Sequence, residues 1–553
     1  AKVQPGFQEM DKASSVLGLF CLFFLFVLPV WWTTTRVFRA DLPEIDFSIP
    51  TDNVGIPVQI FHDGRSSNEL ETFRTKISEI MQRQSTKYEV SFKSVSTSSL
   101  SGASTSAAPE DVDRALLKFL QKGPLSESVL SFFLLSAPTH TLPAKWTMGQ
   151  HLHGWCFLPP QGDVEDVSEA FSKLLQFVTT SQWAPEHESV LLQPALQHTL
   201  SFSLLNALPT DGQWFTWEFE QAFERYISPF LQQLSPIFSA TYDSQVLHFA
   251  DLTETFAGGS AIQHNASGGY YYINAEGLQN FVGNTKWNRE SPLVKNSIEL
   301  LVYIPAPHHR PLFIKQAQHQ AESTSFLVPR WGGVCILNTV PPPPPPPLPP
   351  SSSSSKYSNK HSNNEHSNSP TELAGPTVIT ADMLQGAMQA VLGQLRIMLQ
   401  LAPNHGSNDV AAFLPSPHTA LTGWELQWLT RARIVSNIRH VQDTLQSLLE
   451  LLDSVTNMPV EGYVASRVHD AVFNLNKARE SLRGHSYSEA MAFSRAAVAG
   501  AHDAFFHPSM LPALYFPDEH LYAVYAPFFF PTFLPVFSAV FARIKQARKS
   551  KVA

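Results

Sequence analysis

Cysteine and charge are both scarce in this chain of 553 residues. It contains 3 cysteines, and 15% of its residues are charged, compared with roughly 25% in soluble globular proteins. Three cysteines cannot build the disulfide framework of a small secreted domain, and no C-x-x-C pair is present for a zinc site or a thioredoxin-like centre. With a net charge of −9, the chain also lacks the basic excess that nucleic-acid binding requires.

The common signatures of enzymes are missing from the sequence as well. There is no G-x-S-x-G nucleophile elbow, P-loop, G-x-G-x-x-G fingerprint or H-E-x-x-H zinc helix. The nearest approach to a metal site is His151-Leu152-His153, because both imidazoles would lie on one face of an extended strand. No second cluster supplies further ligands, so surface histidines beside a buried thiol are the favoured interpretation.

Catalysis by cysteine needs a thiolate with a base nearby. Cys156 and Cys335 are the candidates, since Cys21 lies within the first long apolar run. In an oxidising compartment, either a disulfide between Cys156 and Cys335 or two buried thiols is favoured over catalysis. The aromatic run 270–272 allows a carbohydrate platform, although packing at a strand edge is favoured. The sequence therefore predicts no catalytic, metal or cofactor site.

Long apolar runs occur near both ends of the chain. Residues 13–32 and 521–542 contain no charge, and each run is long enough for a helix to cross about 30 Å of hydrocarbon. The first run ends in Trp31-Trp32, which favours a retained anchor with an interfacial aromatic belt over a cleaved signal peptide. In the second run three prolines recur every fourth residue, so they lie on one helical face. That face packs against another membrane subunit or merely marks a kinked span; a buried core segment is the other alternative for this run.

The distribution of Lys and Arg predicts the orientation of the second run, whereas basic residues are balanced around the first. Five basic residues lie in the tail 543–553, whereas residues 510–520 contain none. The positive-inside rule therefore predicts a cytosolic C-terminus, and two spans then place residues 1–12 in the cytosol and the body in the lumen. Lys549 and Lys551 resemble a K-x-K-x-x retrieval signal of endoplasmic reticulum membrane proteins, with a plain stop-transfer cluster as the alternative. Asn265 begins the sequon Asn-Ala-Ser, a candidate glycosylation site in the predicted lumen.

The body between the runs divides into three regions by composition. Residues 33–340 alternate short apolar runs with helical patterns, which predicts a luminal α/β domain. Residues 341–370 are rich in proline and serine and are expected to form a disordered linker. Residues 371–520 are predicted to be helical, and a heptad seam over 434–455 favours packing within a helical bundle over a partner site. The predicted strands are 57–62, 129–135, 200–205, 245–249 and 298–304, and the predicted helices are 164–178, 217–237, 383–401, 464–482 and 487–506.

Seven short blocks stand out along the sequence: Leu28 to Thr34, Phe202 to Asn206, Asp243 to Gln245, Leu301 to Pro305 with Pro311-Leu312, Pro329 to Gly333, Trp424-Glu425 and Leu514 to Asp518. These blocks resemble the PIG-S family, and the resemblance keeps that family's order from residue 28 to beyond residue 530. The two apolar runs match the spans of that family. The departures are the Ser-rich stretch 94–108 and the linker 341–370, both of which resemble loop insertions. The chain begins with Ala1 rather than Met, which leaves the completeness of the N-terminus open.

The resemblance implies a non-catalytic subunit of the glycosylphosphatidylinositol (GPI) transamidase. This complex of the endoplasmic reticulum membrane replaces a C-terminal signal on precursor proteins with a GPI anchor. In that family the catalytic Cys and His belong to PIG-K, and PIG-T, PIG-U and a Gaa-type subunit are the further partners; no cofactor is implied. Two alternatives remain: a membrane-tethered luminal adaptor that binds glycan or GPI, and a luminal enzyme that uses Cys156 with His151 or His153.

Overall fold

The computed structural model describes most of the body of the chain. The predicted linker 341–370 and the basic residues Lys549 and Lys551 lie outside the described residues, as do most residues of the two predicted spans. Within the part of the chain that is described, no helix combines the length and apolar character needed to cross a bilayer. The described residues are 38–47, 55–62, 67–82, 88–95, 108–121, 128–136, 146–158, 164–179, 198–208, 214–252, 262–265, 268–283, 297–315, 322–329, 331–338, 377–401, 411–414, 416, 420–455 and 458–510, with isolated positions in 18–30 and 523–548.

These residues cluster into two compact units. One unit contains the described parts of Ala1–Ile49, Val435–Ser481 and Ala492–Ala553, and the other contains those of Pro50–Ile434 and Leu482–Met491. The α/β unit therefore extends beyond the predicted linker, because residues 377–413 still contribute strands and a helix to it.

The described elements up to residue 413 are strands interspersed with helices, and those that follow are helical. A mixed α/β region followed by a helical C-terminal region is therefore confirmed. The strands are β1 (Ile56–His62), β2 (Tyr88–Ser94), β3 (Leu130–Ser136), β4 (Trp146–Met148), β5 (His153–Leu158), β6 (His198–Asn206), β7 (Phe215–Trp217), β8 (Ala240–His248), β9 (Ile262–Asn265), β10 (Tyr270–Ile273), β11 (Ser297–Ile304), β12 (Leu312–Lys315), β13 (Glu322–Ser323), β14 (Ser325–Val328), β15 (Gly332–Ile336), β16 (Thr377–Ile379) and β17 (Ala411–Phe413). The helices are α1 (Ser67–Gln82), α2 (Pro109–Gln121), α3 (Val164–Thr179), α4 (Phe219–Tyr226), α5 (Ser228–Leu234), α6 (Ala275–Gly283), α7 (Gln385–Met398), α8 (Gly423–Ser454), α9 (Gly462–Arg483) and α10 (Tyr487–Phe505).

The first large sheet has the described strand order β17-β4-β5-β3-β1-β2. Strands β1, β2, β3 and β5 are parallel, and β4 runs antiparallel to β5. Continuous apolar runs such as Leu130–Ser136 suit parallel strands, which are covered on both faces. Phe73 and Phe171 belong to the core on one face of this sheet, and Val112 and Leu116 belong to the core on the other.

The second large sheet repeats this topology. Its described order is β14-β15-β11-β6-β8, with β6, β8, β11 and β15 parallel and β14 antiparallel to β15. Each strand corresponds in connection and position to one strand of the first sheet: β6 to β1, β8 to β2, β11 to β3, β14 to β4 and β15 to β5. The helices follow the same rule, because α1 contacts α3 as α4 contacts α7. The two halves of the α/β unit thus share one strand order, and the second half carries β7, β9, β10, β12 and β13 as additional strands in its connections.

The correspondence extends to the register of the antiparallel hairpins. Met148 pairs with Gly154 in β4 and β5, and Leu327 pairs with Gly333 in β14 and β15. Five residues separate the partners in both hairpins. Cys156 and Cys335 each follow the paired glycine by two residues, so the two thiols occupy equivalent positions in the two halves.

Two smaller sheets complete the α/β unit within the described residues. Strands β13, β12, β10 and β9 form one of them, and the parallel pair β16 and β7 forms the other. The apolar side chains of β9, β10 and β12 join those of β11 and β15 in one core cluster. The small four-stranded sheet therefore packs on the second large sheet.

Three helices follow, and each buries an apolar stripe. The seam predicted over 434–455 is confirmed as internal packing, because Ile438, Val441, Leu445 and Leu448 are all buried within the chain. Helix α9 buries residues at the same alternating spacing of four and three. Asn437 in α8 donates a hydrogen bond of 3.1 Å to Ser494 in α10, which satisfies both buried polar groups.

Most predicted elements are confirmed, and one helix is wrong in its length. The predicted helix 217–237 is divided into α4 and α5 by Ile227. Pro229 explains the break, because a proline ring fits the first turn of a helix and is excluded from its interior. The predicted strand 245–249 forms only the second half of β8, which begins at Ala240.

Candidate functional site

Cys156 and Cys335 are free and buried in the structure. They lie in different sheets, on β5 and β15, so the candidate disulfide between them is not formed. Burial raises the pKa of each thiol to about 12. Because the thiolate is the nucleophilic form, neither cysteine is activated at neutral pH. The sequence left open a disulfide or two buried thiols, and the structure has two buried thiols.

His151 and His153 lie close together, although His151 is in the bend before β5 and not in the extended strand that the sequence argument assumed. Their rings stack with centroids 6.2 Å apart, and His153 stacks in turn on Trp155 at 6.1 Å. His151 is exposed, whereas His153 is fully buried, so the interpretation of both as surface histidines is wrong for His153. Partial burial and the neighbouring His153 lower the pKa of His151, and Asp113 acts in the opposite direction.

The buried imidazole has an acidic partner from helix α2. Asp113 Oδ1 lies 3.0 Å from His153 Nε2 and also accepts a hydrogen bond of 3.2 Å from the backbone of Gln150. Gly149 makes this approach feasible, because a Cβ at that position would collide with both side chains. Asp113 and His153 thus form a buried pair that links α2 to the start of β5.

This pair cannot activate Cys156, because the two side chains point to opposite faces of β5. Cys156 belongs to the core with Phe73 and Phe171, while Trp155, on the histidine side, belongs to the core with Val112. Side chains of adjacent strand residues alternate between the two faces of a sheet. The described residues also contain no group of three or more His, Cys, Asp or Glu side chains able to hold a metal ion.

Thiol alkylation tests this description of the cysteines. We expect N-ethylmaleimide to leave Cys156 and Cys335 unmodified in the native protein at neutral pH, because both thiols are buried and protonated. Peptide mass spectrometry after alkylation reports each position separately. Unfolding in guanidinium should make both react within the same time, which serves as the control. Rapid labelling of native Cys156 would contradict its burial.

The tyrosine run 270–272 lies within the small four-stranded sheet. Tyr271 packs between His264 and His309, with ring centroids 4.8 and 5.2 Å away, and Tyr272 receives Lys315 over its ring. These partners account for the aromatic run as strand packing. Asn265 ends β9, at the turn that joins it to β10, and is partly exposed.

A further site, which the sequence did not reveal, lies where the chain follows the first predicted span. The guanidinium of Arg39 donates hydrogen bonds to the carbonyls of Leu452, Val455 and Met458, at 2.9, 2.8 and 3.1 Å. These carbonyls lie at and just beyond the C-terminal end of α8, where helix carbonyls lack intrahelical partners. A bridge between Arg39 and Val460 reinforces the contact through the backbone. The side chain of Arg479 holds Asp46 further along the same segment.

Comparison with known proteins decides the family. The family model for phosphatidylinositol-glycan biosynthesis class S protein, PIG-S, matches residues 18–550. The chain belongs to the PIG-S family.

Relatives of the PIG-S family match over nearly the whole chain. The bovine (Bos taurus) protein named GPI-anchor transamidase component PIGS is 26% identical over 95% of this chain and 93% of its own length. The human protein (Homo sapiens) of the same name is 25% identical with the same coverage. The yeast (Saccharomyces cerevisiae) protein named GPI transamidase component GPI17 is 23% identical over 96% of this chain and 92% of its own length. All three names describe a component of a transamidase.

Two of the blocks that resemble PIG-S have a structural explanation. Glu425 supplies the carboxylate half of a capping box at the start of α8, because its carboxylate accepts from both the backbone N–H and the hydroxyl of Thr422, at 2.9 and 2.8 Å. The same carboxylate binds the buried Arg396 of α7 at 2.6 Å. In the other block, Gly332 begins β15 with a positive φ of 153° and packs directly against the backbone of Glu299. Glu425 and Gly332, one residue from each block, therefore have structural roles in this chain.

Proposed function

We propose that this chain is a non-catalytic subunit of the GPI transamidase of the endoplasmic reticulum membrane. Membership of the PIG-S family over residues 18–550, with relatives named as transamidase components, supports this role. The complex replaces a C-terminal signal on precursor proteins with a GPI anchor. The body of this chain holds the catalytic subunit PIG-K in place, together with PIG-T, PIG-U and the Gaa-type subunit.

The burial of both thiols is the observation that carries the non-catalytic assignment. Attack on a peptide carbonyl by cysteine requires a thiolate that is accessible and close to a base. Cys156 and Cys335 are buried, with pKa values raised to about 12, and His153 lies on the face of β5 opposite to Cys156. This arrangement also argues against the alternative of a luminal enzyme based on Cys156.

The proposed topology has two spans, cytosolic termini and a luminal body. Charge asymmetry at the second run supports it. The described positions within the two runs are helical and include highly exposed apolar side chains, which suits contact with lipid or with membrane helices: Leu22, Leu25, Phe26, Val30, Phe530, Leu534, Phe537 and Phe541. The partly exposed turn position of Asn265 suits glycosylation in the lumen. Retrieval by Lys549 and Lys551 completes the proposal.

Co-purification tests the assignment. We expect a tagged chain extracted in mild detergent to bring down a cysteine-protease-like subunit in near-equal amount, as identified by mass spectrometry. Glycosidase treatment of the same material should lower its apparent mass, and Asn265→Gln should abolish that shift if the sequon lies in the lumen. Recovery of the chain alone, under conditions that preserve other membrane complexes, would contradict the role as a subunit.

Rescue of cells that lack the chain separates scaffold from enzyme. Without the protein, cells should make GPI lipid but fail to display a GPI-anchored reporter. Cys156→Ala should restore the display as fully as the unaltered chain does, because the thiol takes no part in the reaction; Cys335→Ala is the matched control at the equivalent position. Loss of display with Cys156→Ala at normal protein levels, but not with Cys335→Ala, would instead indicate a catalytic cysteine.

A further inference from the structure

Both predicted spans connect to the same end of the helical bundle. Helices α8 and α9 are joined by a short connection between Ser454 and Gly462, so the end of α8 and the start of α9 lie together. The end of α10 reaches this place as well, because the rings of Tyr463 and His507 are 5.3 Å apart. Arg39 binds the carbonyls at the end of α8, so the segment after the first predicted span begins here too.

The lengths of chain on either side limit how far this end can be from a membrane. Only five residues separate Phe38 from the end of the first run at Trp32, and ten separate Met510 from the start of the second run at Leu521. An extended chain spans at most about 3.3–3.6 Å per residue. The first connection therefore reaches no more than roughly 20 Å, and the hydrogen bonds of Arg39 fix its luminal end to the bundle.

Large aromatic side chains are exposed at this end. Phe38 is 70% exposed, Tyr463 50% and Phe506 63%. His502 and His507 lie beside them, with the ring of His502 4.6 Å from that of Phe506. The guanidinium of Arg467 lies 5.3 Å from the ring of Tyr463. Aromatic rings next to imidazole and guanidinium groups are the composition found at the level of lipid headgroups, where one part of a side chain meets hydrocarbon and another meets water.

We propose that this end of the bundle, the aromatic end, rests on the luminal leaflet, with Phe38, Tyr463 and Phe506 inserted into the headgroup region. The occupant of the surface is lipid, because both membrane segments leave from it and the first connection is too short to hold it far away. The inference rests on the two spans of the proposed function. If so placed, the bundle is held at the membrane by inserted side chains as well as by the two spans.

Hydrogen bonds of Arg39 fix the segment after the first predicted span to the bundle. A span joined to a domain by a free linker leaves the domain able to tumble. Here the segment is held by three side-chain hydrogen bonds to the α8 end, by the backbone bridge to Val460, and by Arg479 at Asp46. The chain from Arg39 onward is therefore fixed to the bundle, and the first span is attached within five residues of the aromatic end.

The same bundle offers a matched control. Phe473 of α9 is 61% exposed, nearly the same as Phe506. It lies ten residues beyond Tyr463 along the helix, which places it about 15 Å further from the aromatic end. Inserted interfacial side chains reach only about 5–10 Å into the headgroup and acyl boundary, so Phe473 should remain in water.

Fluorescence quenching in nanodiscs tests the proposal on the full chain. Single variants Phe38→Cys, Tyr463→Cys, Phe506→Cys and Phe473→Cys are made in a Cys21→Ala background, where the remaining thiols Cys156 and Cys335 are buried. Each variant is labelled with an environment-sensitive dye and reconstituted into phosphatidylcholine discs that contain a headgroup nitroxide lipid. We expect quenching at 38, 463 and 506 to be several times that at 473.

The outcomes separate this proposal from the role as a subunit. Equal quenching at 506 and 473, or none at 38, 463 and 506 while the chain stays in the disc, would overturn it; the aromatic end would then be free to receive a protein partner. Failure of the chain to stay in the disc would overturn both the spans and this inference. Co-purification of a catalytic subunit is measured separately, so its failure would remove the proposed function without altering the quenching result.

Discussion

Gly332→Ala is expected to prevent the second half of the α/β unit from folding. A Cβ at this position would collide with the backbone nitrogen, carbon and oxygen of Glu299 in the neighbouring strand β11, and φ at this glycine is +153°. Backbone atoms within a parallel sheet cannot move aside as a flexible side chain does. We expect a loss of more than about 4 kcal/mol in the free energy of unfolding, seen as loss of monodisperse protein in size-exclusion chromatography.

The control is substitution of a glycine at which an added methyl group would have no close neighbour. Gly393 lies within α7, and a Cβ there has no neighbour within 4 Å. Gly393→Ala should therefore raise the free energy of unfolding by about 0.5–1 kcal/mol, because alanine loses less conformational entropy in a helix. A Gly332→Ala protein with unaltered expression and melting temperature would show that β15 does not approach β11 as described.

Arg396→Met is expected to be the most destabilising substitution of a charged residue in the α/β unit. Arg396 is 2% exposed and lies 2.6 Å from Glu425, and its guanidinium also donates to the carbonyl of Ala420. Methionine retains the apolar stem and leaves the carboxylate of Glu425 buried without its cation. Breaking a buried pair by removing one partner costs about 3–5 kcal/mol. Thermal unfolding of the detergent-solubilised chain measures the effect.

Two comparisons establish that burial is the cause. Arg225 forms an ion pair with Asp382 at 2.7 Å, but that arginine side chain is 61% exposed, so Arg225→Met should cost less than about 1 kcal/mol. The double variant Arg396→Met with Glu425→Gln should recover part of the loss, because the amide oxygen still accepts from Thr422 and no charge is left unpaired. Equal losses in Arg225→Met and Arg396→Met would contradict this account.

The sequence predicts the elements whose apolar residues form a recognisable local pattern. Strands β3 and β11 are largely apolar, β1 and β6 alternate apolar with polar residues along part of their length, and the α8 seam repeats over several turns, so local pattern is enough to find them. Several edge strands could not be predicted from local pattern. Strand β8 is exposed along its first half, and β16 and β17 have three residues each, so neither burial nor length marks them in the sequence.

Some features of the candidate site could likewise be predicted from local sequence, and others could not. Alternation along a strand predicts that His151 and His153 share a face. Their rings do stack, but His151 lies in the bend before β5, so strand alternation is not the cause. The partner Asp113 is about forty residues earlier, on a helix whose packing against β5 depends on the order of strands in the sheet. The order of strands depends on contacts throughout each half of the α/β unit. The same holds for the common topology that gives Cys156 and Cys335 equivalent positions. No local pattern carries either.

The contact between Arg39 and the end of α8 also sets an order for biosynthesis. Arg39 precedes Leu452 by 413 residues. At a synthesis rate of roughly 5–20 residues per second, about 20–80 s pass between the two leaving the ribosome. During that time Arg39 lacks its carbonyl partners. The α/β unit is synthesised in the same interval. In the proposed topology, the segment after the first span is thus among the first parts of the chain to reach the lumen and among the last to gain its contacts, which leaves an incompletely folded nascent chain for luminal chaperones to bind.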